Sequence, residues 1–507
     1  MAELYAGYAR ARLGPAAALI DVQRGVVAAC EENRLTRARQ AGTQGPPELA
    51  MAELLTFLQR TPSEIAALGV VTGEDHADWS GGLPSGGAPT LVDGHDAHAA
   101  YAFHSSGFAD ALVVVCEVHK PRGWTAWRFK TGQAPREIGE QLGAFPLAQI
   151  FSQLTIALGL QQTRDEHVVE AMARAGRDTQ ARIADLVRVS SDGVTVDDGF
   201  SAAIDDAVRA GDPDSVKRDI ATSVQRRLGE CLVQLLRSLS DLKSGPTQLC
   251  LSGGLFFNTY FTTIAATAGG FDDVHVPPHP GRNGTSVGAA LRAGATAPAA
   301  LLGSAYLGPS YSDGQIKEAL DNCKLSYDLI REDRLMGDML ASLSRGRLVG
   351  WFHGRLEWGP RALGHRSVLA DPFAVHTLDN LNGFLKRRPS YRSYGVSVPL
   401  SKVAELFDGP PASPFMQFEY RPRDPERFRT ILPPGVQTLR VHTVDAREPR
   451  FLRLLQHWGE KTGTPALVNT SFNGFHEPLV CSPRDAIRVF YGTGLDVVAI
   501  EDFVLRK

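Results

Sequence analysis

Residues 354–372, Gly-Arg-Leu-Glu-Trp-Gly-Pro-Arg-Ala-Leu-Gly-His-Arg-Ser-Val-Leu-Ala-Asp-Pro, follow an apolar run, Arg347–Phe352, that reads as a strand. The strand delivers a glycine-punctuated loop rich in cations. Glycine lets a backbone approach a ligand closely, and Arg355, Arg361 and Arg366 offer rigid donor forks suited to phosphate or carboxylate oxygens. That combination fits an anion pocket. It fits equally a surface loop whose arginines pair with Glu357 and Asp371.

At 507 residues the chain is long for one core, and two or more domains of about 100 to 200 residues are expected. Apolar residues at 43% and charged residues at 21% describe a soluble globular protein. A formal net charge of -3 argues against nucleic acid as a partner, because such binders carry a basic excess. The cations around 355–392 are therefore a local device. No basic segment leads into a long apolar one at the N-terminus, and no apolar run approaches the roughly 18 residues of a membrane helix. The expected location is cytoplasmic, with no membrane partner. Cysteines 30, 116, 231, 250, 323 and 481 show no CxxC spacing and sit mostly in apolar runs, as free buried thiols do.

In chain order, strand-like runs at 4–8, 16–20 and 26–29 are joined by a turn at Gln23-Arg24-Gly25. A helix is read over 49–60 and a strand over 67–71. His95 and His98 lie three apart, so they share a helix face, either as ligands or as capping and packing residues. An amphipathic helix is read from Leu142 to Gly159, and a helix start at Arg218-Asp219, where the carboxylate suits the N-terminal dipole. Strand Gln248–Ser252 runs into Gly253 and Gly254 before a helix, an arrangement that presents free backbone N–H groups to a nucleotide. Asn258 and Gly284 extend that expectation.

The wording of 354–372 closely resembles the signature of the carbamoyltransferases of nodulation-factor and antibiotic pathways (NodU/CmcH/TobZ-like). The resemblance continues through Asn382–Arg392, Gly463–Asn473 and Glu477–Ala486 to Lys507, and in the first half through Glu31–Arg34, Ser252-Gly253-Gly254 and Ser304–Tyr311. It implies an α/β fold of two domains. An N-terminal actin/hexokinase-like (ASKHA) domain spans 1–302, and a C-terminal YrdC-like domain spans 303–507. It implies ATP and carbamoyl phosphate as co-substrates, carbamoyl adenylate as intermediate, and transfer to a hydroxyl or amine of a small metabolite. The implied phosphate ligands are Arg361, Lys386, Arg388, Arg440, Asn469 and Asn473. Gly253, Gly254, Asn258 and Gly284 are the implied nucleotide-cleft residues, and Asp219 corresponds to an aspartate that positions or activates the acceptor.

Departures from the family pattern are concentrated in the first half. Leu13-Gly14-Pro15 replaces a His-Asp-Pro, and Gly94 replaces the first of two histidines that hold a divalent metal, leaving His98 the only retained ligand position. Cys116-Glu117 stands where a ligand aspartate precedes a glycine, and Arg282 replaces the remaining carboxylate. A guanidinium does not ligate a cation, so no family-type metal is expected. Arg282 either takes over the metal's charge in catalysis or closes a dead pocket by pairing with Glu117. In the second half Phe475 replaces a cation, and Pro389 and Ser393 also depart. Three functions remain open: a metal-free carbamoyl transfer using Asp219 and Arg282, a degenerate scaffold for an intact paralogue in a homodimer or heterodimer, and adenylate chemistry redirected to another substrate. Loops 72–90 and 119–140 are expected to border the acceptor.

Overall fold

A computed structural model describes residues 4–11, 14–38, 45–72, 88–118, 123–139, 142–190, 193–241 and 246–507. Leu13, residues 73–87 of the first acceptor loop, and residues 119–122 and 140 of the second lie outside the described residues. The fold is mixed α/β. It divides into two compact units, residues 1–31 with 42–304, and residues 32–41 with 305–507.

In the first unit one sheet has the strand order Val26–Glu31, Ala16–Asp21, Leu4–Ala9, Ile65–Thr72, Thr90–Asp93, and a second has the order Asp273–His275, Gln248–Ser252, Asp110–Cys116, Trp124–Lys130, Arg136–Ile138. The hairpin 16–31 turns at Gly25, whose φ of 63° is open to glycine at little cost. Helix Thr285–Arg292 lies directly on the first sheet. A Cβ at Gly7 would fall 1.9 Å from the Ser286 carbonyl, and one at Gly69 would fall 2.0 Å from that of Ala289. Side chains at either position would push the helix off the sheet.

The long helix Pro213–Ser240 begins with Asp212 capping the Ser215 N–H and with proline in the first turn. It buries Ile220, Val224, Leu228, Leu232, Leu235 and Leu239, a stripe at the three- to four-residue spacing of one helix face. The start therefore lies six residues before Asp219, which sits inside the helix and not at its dipole end. The helix read over 142–159 starts only at Leu147, after Pro146, and ends at Ala157.

The second unit is built on a ten-stranded sheet. Its middle runs Val497–Ile500, Val349–Phe352, Arg366–Ala370, Leu467–Ser471, Gly395–Pro399, Leu439–Val444. Helices Glu332–Leu343 and Pro449–Thr462 cover it, burying Leu335, Met339, Leu343, Phe451, Leu455 and Trp458 against Trp351, Leu369 and Val497. Each such side chain contributes about 1.5–3 kcal/mol by leaving water. Residues 32–38 belong to this unit because Arg34 donates to the Gly359 carbonyl at 3.0 Å, while Arg37 donates to the carbonyls of Leu479 and Pro478 and pairs with Asp485 at 3.3 Å. Among the described residues no helix is long and apolar enough to cross a membrane, and five of the cysteines are buried thiols while Cys323 is exposed.

Candidate functional site

The signature loop is held by its own charges. Arg366 is completely buried, and its Nη1 donates to the carbonyls of His353, Gly354 and His365 at 2.8, 3.1 and 3.2 Å, with the guanidinium 3.5 Å over the Phe352 ring. Arg355 donates to the carbonyls of Gly308 and Leu307, and burial draws its pKa down to about 10. The fork geometry that suits phosphate thus serves backbone carbonyls at both positions. Neither the anion pocket nor the pairing with Asp371 describes these two arginines. Glu357, 2% exposed, instead accepts the N–H groups of Leu363, His365 and Arg366 on one oxygen, at 2.9, 2.9 and 2.8 Å. Arg361 remains half-buried on the same loop.

Lys386 and Asn473 are brought together. A π-helix, Asn380–Lys386, ends on the lysine, whose Nζ donates to the Ser471 carbonyl at 2.6 Å, the Asn473 carbonyl at 3.1 Å and Asn473 Oδ1 at 2.5 Å, with Ser471 Oγ at 3.3 Å. Asn473 Nδ2 donates in turn to the Glu477 carbonyl at 2.7 Å, closing the 473–477 loop. Neutral oxygens of this kind orient an ammonium without cancelling its charge. Ser471 is a partner that sequence reasoning missed; its place two residues before Asn473 on strand Leu467–Ser471 was the available signal.

Of the other implied phosphate ligands, Asn469 and Arg440 stand on the two strands that flank Gly395, and Arg388 is engaged elsewhere. Arg388 donates from Nε to Asn382 Oδ1 at 2.9 Å and lies 3.9 Å over the Tyr394 ring, and burial lowers its pKa. Arg440 is half-buried on strand Leu439–Val444. Asn469, 2% exposed, donates to Ser397 Oγ at 2.9 Å, and Ser397 Oγ lies 3.0 Å from His442 Nδ1. It is an internal link in the sheet, out of reach of a solvent-borne phosphate.

Burial pushes His442 down to about 3, and His275 of the first unit to about 4. Both values lie below the ordinary histidine pKa of about 6.5, so the unfolded chain binds more protons in between. Stability is then full above pH 6.5 and declines as pH falls toward these folded values. The urea midpoint is expected to drop on going from pH 7 to pH 4.5, with a shallower drop in His442→Gln; equal slopes for the two proteins would contradict this.

In the first unit, His98 is 2% exposed, with Nδ1 2.9 Å from Ser252 Oγ and Nε2 3.4 Å from Glu117 Oε2. His95 turns to Thr125 Oγ1 at 3.0 Å, so the two histidines do not converge. Glu117 accepts the Gly254 N–H at 3.1 Å and the Val118 N–H at 3.2 Å. Gly253 N–H is taken by the Pro280 carbonyl at 2.7 Å, and Gly284 N–H by that of Gly281 at 2.9 Å. The expectation of free N–H groups is therefore corrected: the Ser-Gly-Gly turn is internally satisfied, and a carboxylate already stands at its Gly254 donor. Asn258 caps the next helix through the Tyr260 N–H at 3.0 Å and donates to Gln225 at 2.6 Å, a buried structural role. Arg282, half-buried, makes no ion pair with Glu117 or any other described residue.

Asp219, 7% exposed, accepts the Arg177 N–H at 2.8 Å and the Thr179 hydroxyl at 3.0 Å, with Arg177 Nη2 at 3.5 Å. Both oxygens clamp the 177–179 turn. Asp219→Asn is expected to cost about 1–3 kcal/mol of stability by weakening that clamp. Loss of turnover at unchanged urea midpoint would instead place the carboxylate at the acceptor.

Among the described residues no group of three or more His, Cys, Asp or Glu side chains converges as a metal site. The sequence matches the family models "Carbamoyltransferase N-terminus" over residues 89–291 and "Carbamoyltransferase C-terminus" over 340–507. It is 31% identical over 438 residues to nodulation protein NolO of Bradyrhizobium diazoefficiens, covering 82% of this chain and 78% of that one. It is also 28% identical over 291 residues to the 3'-hydroxymethylcephem-O-carbamoyltransferase of Amycolatopsis lactamdurans, covering 56% of this chain and 52% of that one.

Proposed function

The chain belongs to the carbamoyltransferase family, and from that premise we propose that in its second unit water splits carbamoyl phosphate into carbamate and phosphate, carbamate attacks the α-phosphorus of ATP to give carbamoyl adenylate and pyrophosphate, and the carbamoyl group then passes to a hydroxyl or amine of a small metabolite with release of AMP. The observation that carries this reading is the Lys386 ammonium at the end of a strand of the family-matched region: its three N–H donors are taken by neutral oxygens of Ser471 and Asn473, so what it offers a phosphate is its uncancelled charge and not a free donor. A point charge fixed in that way suits phosphoryl oxygens. The second unit is read as a YrdC-like domain and the first as an actin/hexokinase-like one. Activity on a natural-product acceptor draws support from the names of the nodulation and cephem relatives.

The transfer is proposed to run without the family's divalent metal, because the donor set does not fit it. Gly94 and Arg282 offer no ligand atom at two of the positions, which leaves His98 and Glu117 a pair too few to hold the ion. Arg282, which no described carboxylate neutralises, is the cation left to meet the departing or entering charge.

The satisfied Ser-Gly-Gly turn favours a second reading. In it the first unit has lost nucleotide binding, and the chain supports an intact paralogue as a heterodimer subunit. One assay separates the two. Pyrophosphate release from ATP that requires carbamoyl phosphate, by the purified chain alone, supports the enzyme; release only after an intact paralogue is added supports the scaffold.

A further inference from the structure

Two phenylalanines flank the Lys386 anchor and are turned to solvent. Phe384, two residues before the lysine on the π-helix, is 72% exposed, and Phe475, two residues after Asn473, is 44% exposed. Single exposed apolar side chains need no explanation. The segments that carry them both approach residues 493–494: a Cβ at Gly494 would be 3.8 Å from Phe384 Cβ, and one at Gly474 would be 3.8 Å from Thr493 Cγ2. The backbone around them is unusual for non-glycine residues. Arg387 has a φ of 45° and His476 a φ of 58°, left-handed conformations that L-residues adopt at a cost and that gather at functional sites. A π-helical turn is likewise a common mark of such sites.

Arg387 and His476 both pack on the ring of Phe475. The Arg387 guanidinium sits 5.9 Å from its centroid, and the His476 ring is 3.9 Å away, tilted by 54°. Phe475 thus carries a cation over its ring, in the same loop that Asn473 and Glu477 close beside Lys386. A fixed charge and an adjacent exposed ring suit a ligand that is anionic at one end and planar at the other. Inorganic phosphate has no such second end; a nucleotide does.

We propose that Phe475, with Phe384 and Arg387, forms the stacking subsite for the nucleobase of the phosphorylated co-substrate anchored at Lys386. The inference rests on the reading of the second unit as the ATP-binding one, and it deepens that reading by assigning the base a seat.

Isothermal titration of ATP and of inorganic tripolyphosphate into the full chain and into Phe475→Ala, Phe475→Tyr and Phe384→Ala tests it. Stacking on an aromatic ring predicts about a tenfold loss of ATP affinity in Phe475→Ala, with tripolyphosphate changed by less than about twofold. Phe475→Tyr, which keeps the ring, restores ATP binding. Equal losses for both probes, or no loss in either, overturn the stacking subsite while leaving ATP use intact. Wild-type chain that binds neither probe overturns the ATP reading, and this inference with it. Both side chains are exposed, so their removal leaves the core intact; matching thermal unfolding curves check that.

Discussion

Replacement of Lys386 by methionine is expected to weaken binding of both ATP and carbamoyl phosphate roughly 100-fold, because a charge-assisted contact to phosphate in a shielded site has no neutral substitute. The lysine is 9% exposed, and its ammonium meets oxygens of Ser471 and Asn473 from the strand end. It therefore cannot swing away to be replaced by another flexible side chain. Lys386→Arg keeps the charge but brings a planar fork into a space built for a compact ammonium, and a loss of about tenfold is expected from the mismatch. Methionine also leaves the Ser471 and Asn473 oxygens without their donor, so both variants are compared by titration at a temperature well below their measured melting points. Unchanged affinity for both ligands in folded Lys386→Met would remove Lys386 from the site and leave the proposed function without its anchor.

Strands and turns were readable where short-range chemistry decides them. The apolar run before the signature became strand Val349–Phe352, and the Gly25 turn closed the hairpin it announced. The long helix begins at Asp212-Pro213 and not at 218–219, on an ordinary cap and first-turn proline that are legible in the sequence. The destinations of charges were another matter. Glu117 reaches the Gly254 N–H across 137 residues, and Arg366 spends Nη1 on carbonyls supplied by the backbone around it. A residue type states how many hydrogen bonds a side chain can make; only the fold decides whether a carbonyl, a carboxylate or a ligand answers them. For this reason Arg355 and Arg366 were legible as important and illegible as structural. Lys386 and Asn473, 87 residues apart, were linked by family resemblance and not by any spacing rule.

Glu357→Ala is expected to destabilise the second unit by at least about 3 kcal/mol, a large share of the roughly 5–15 kcal/mol that holds a domain. The reason is a run of four successive N–H groups that point inward from the signature loop. Those of Leu363, His365 and Arg366 converge on Glu357 Oε1, and that of Gly364 goes to Ser367 Oγ at 2.9 Å. Such a concave set of donors binds a carboxylate strongly. Alanine strands three buried N–H groups, each worth about 1–3 kcal/mol when left unmet. The Glu357→Gln variant keeps one acceptor oxygen and loses only the charge assistance, so a cost of about 1–2 kcal/mol is expected. Urea unfolding followed by tryptophan fluorescence reports the difference, since Trp358 neighbours the loop and Trp351 and Trp458 lie in the core beneath it. The consequence extends to ligand binding. Strand Arg366–Ala370 begins where the loop ends and pairs Ser367 with Ser471, the residue that orients Lys386. A loosened loop frees that strand end, and the anion site should weaken in Glu357→Ala while remaining near wild type in Glu357→Gln. An alanine variant within about 1 kcal/mol of wild type would mean that water replaces the carboxylate, and that the signature loop is held in form by its arginine clamps alone.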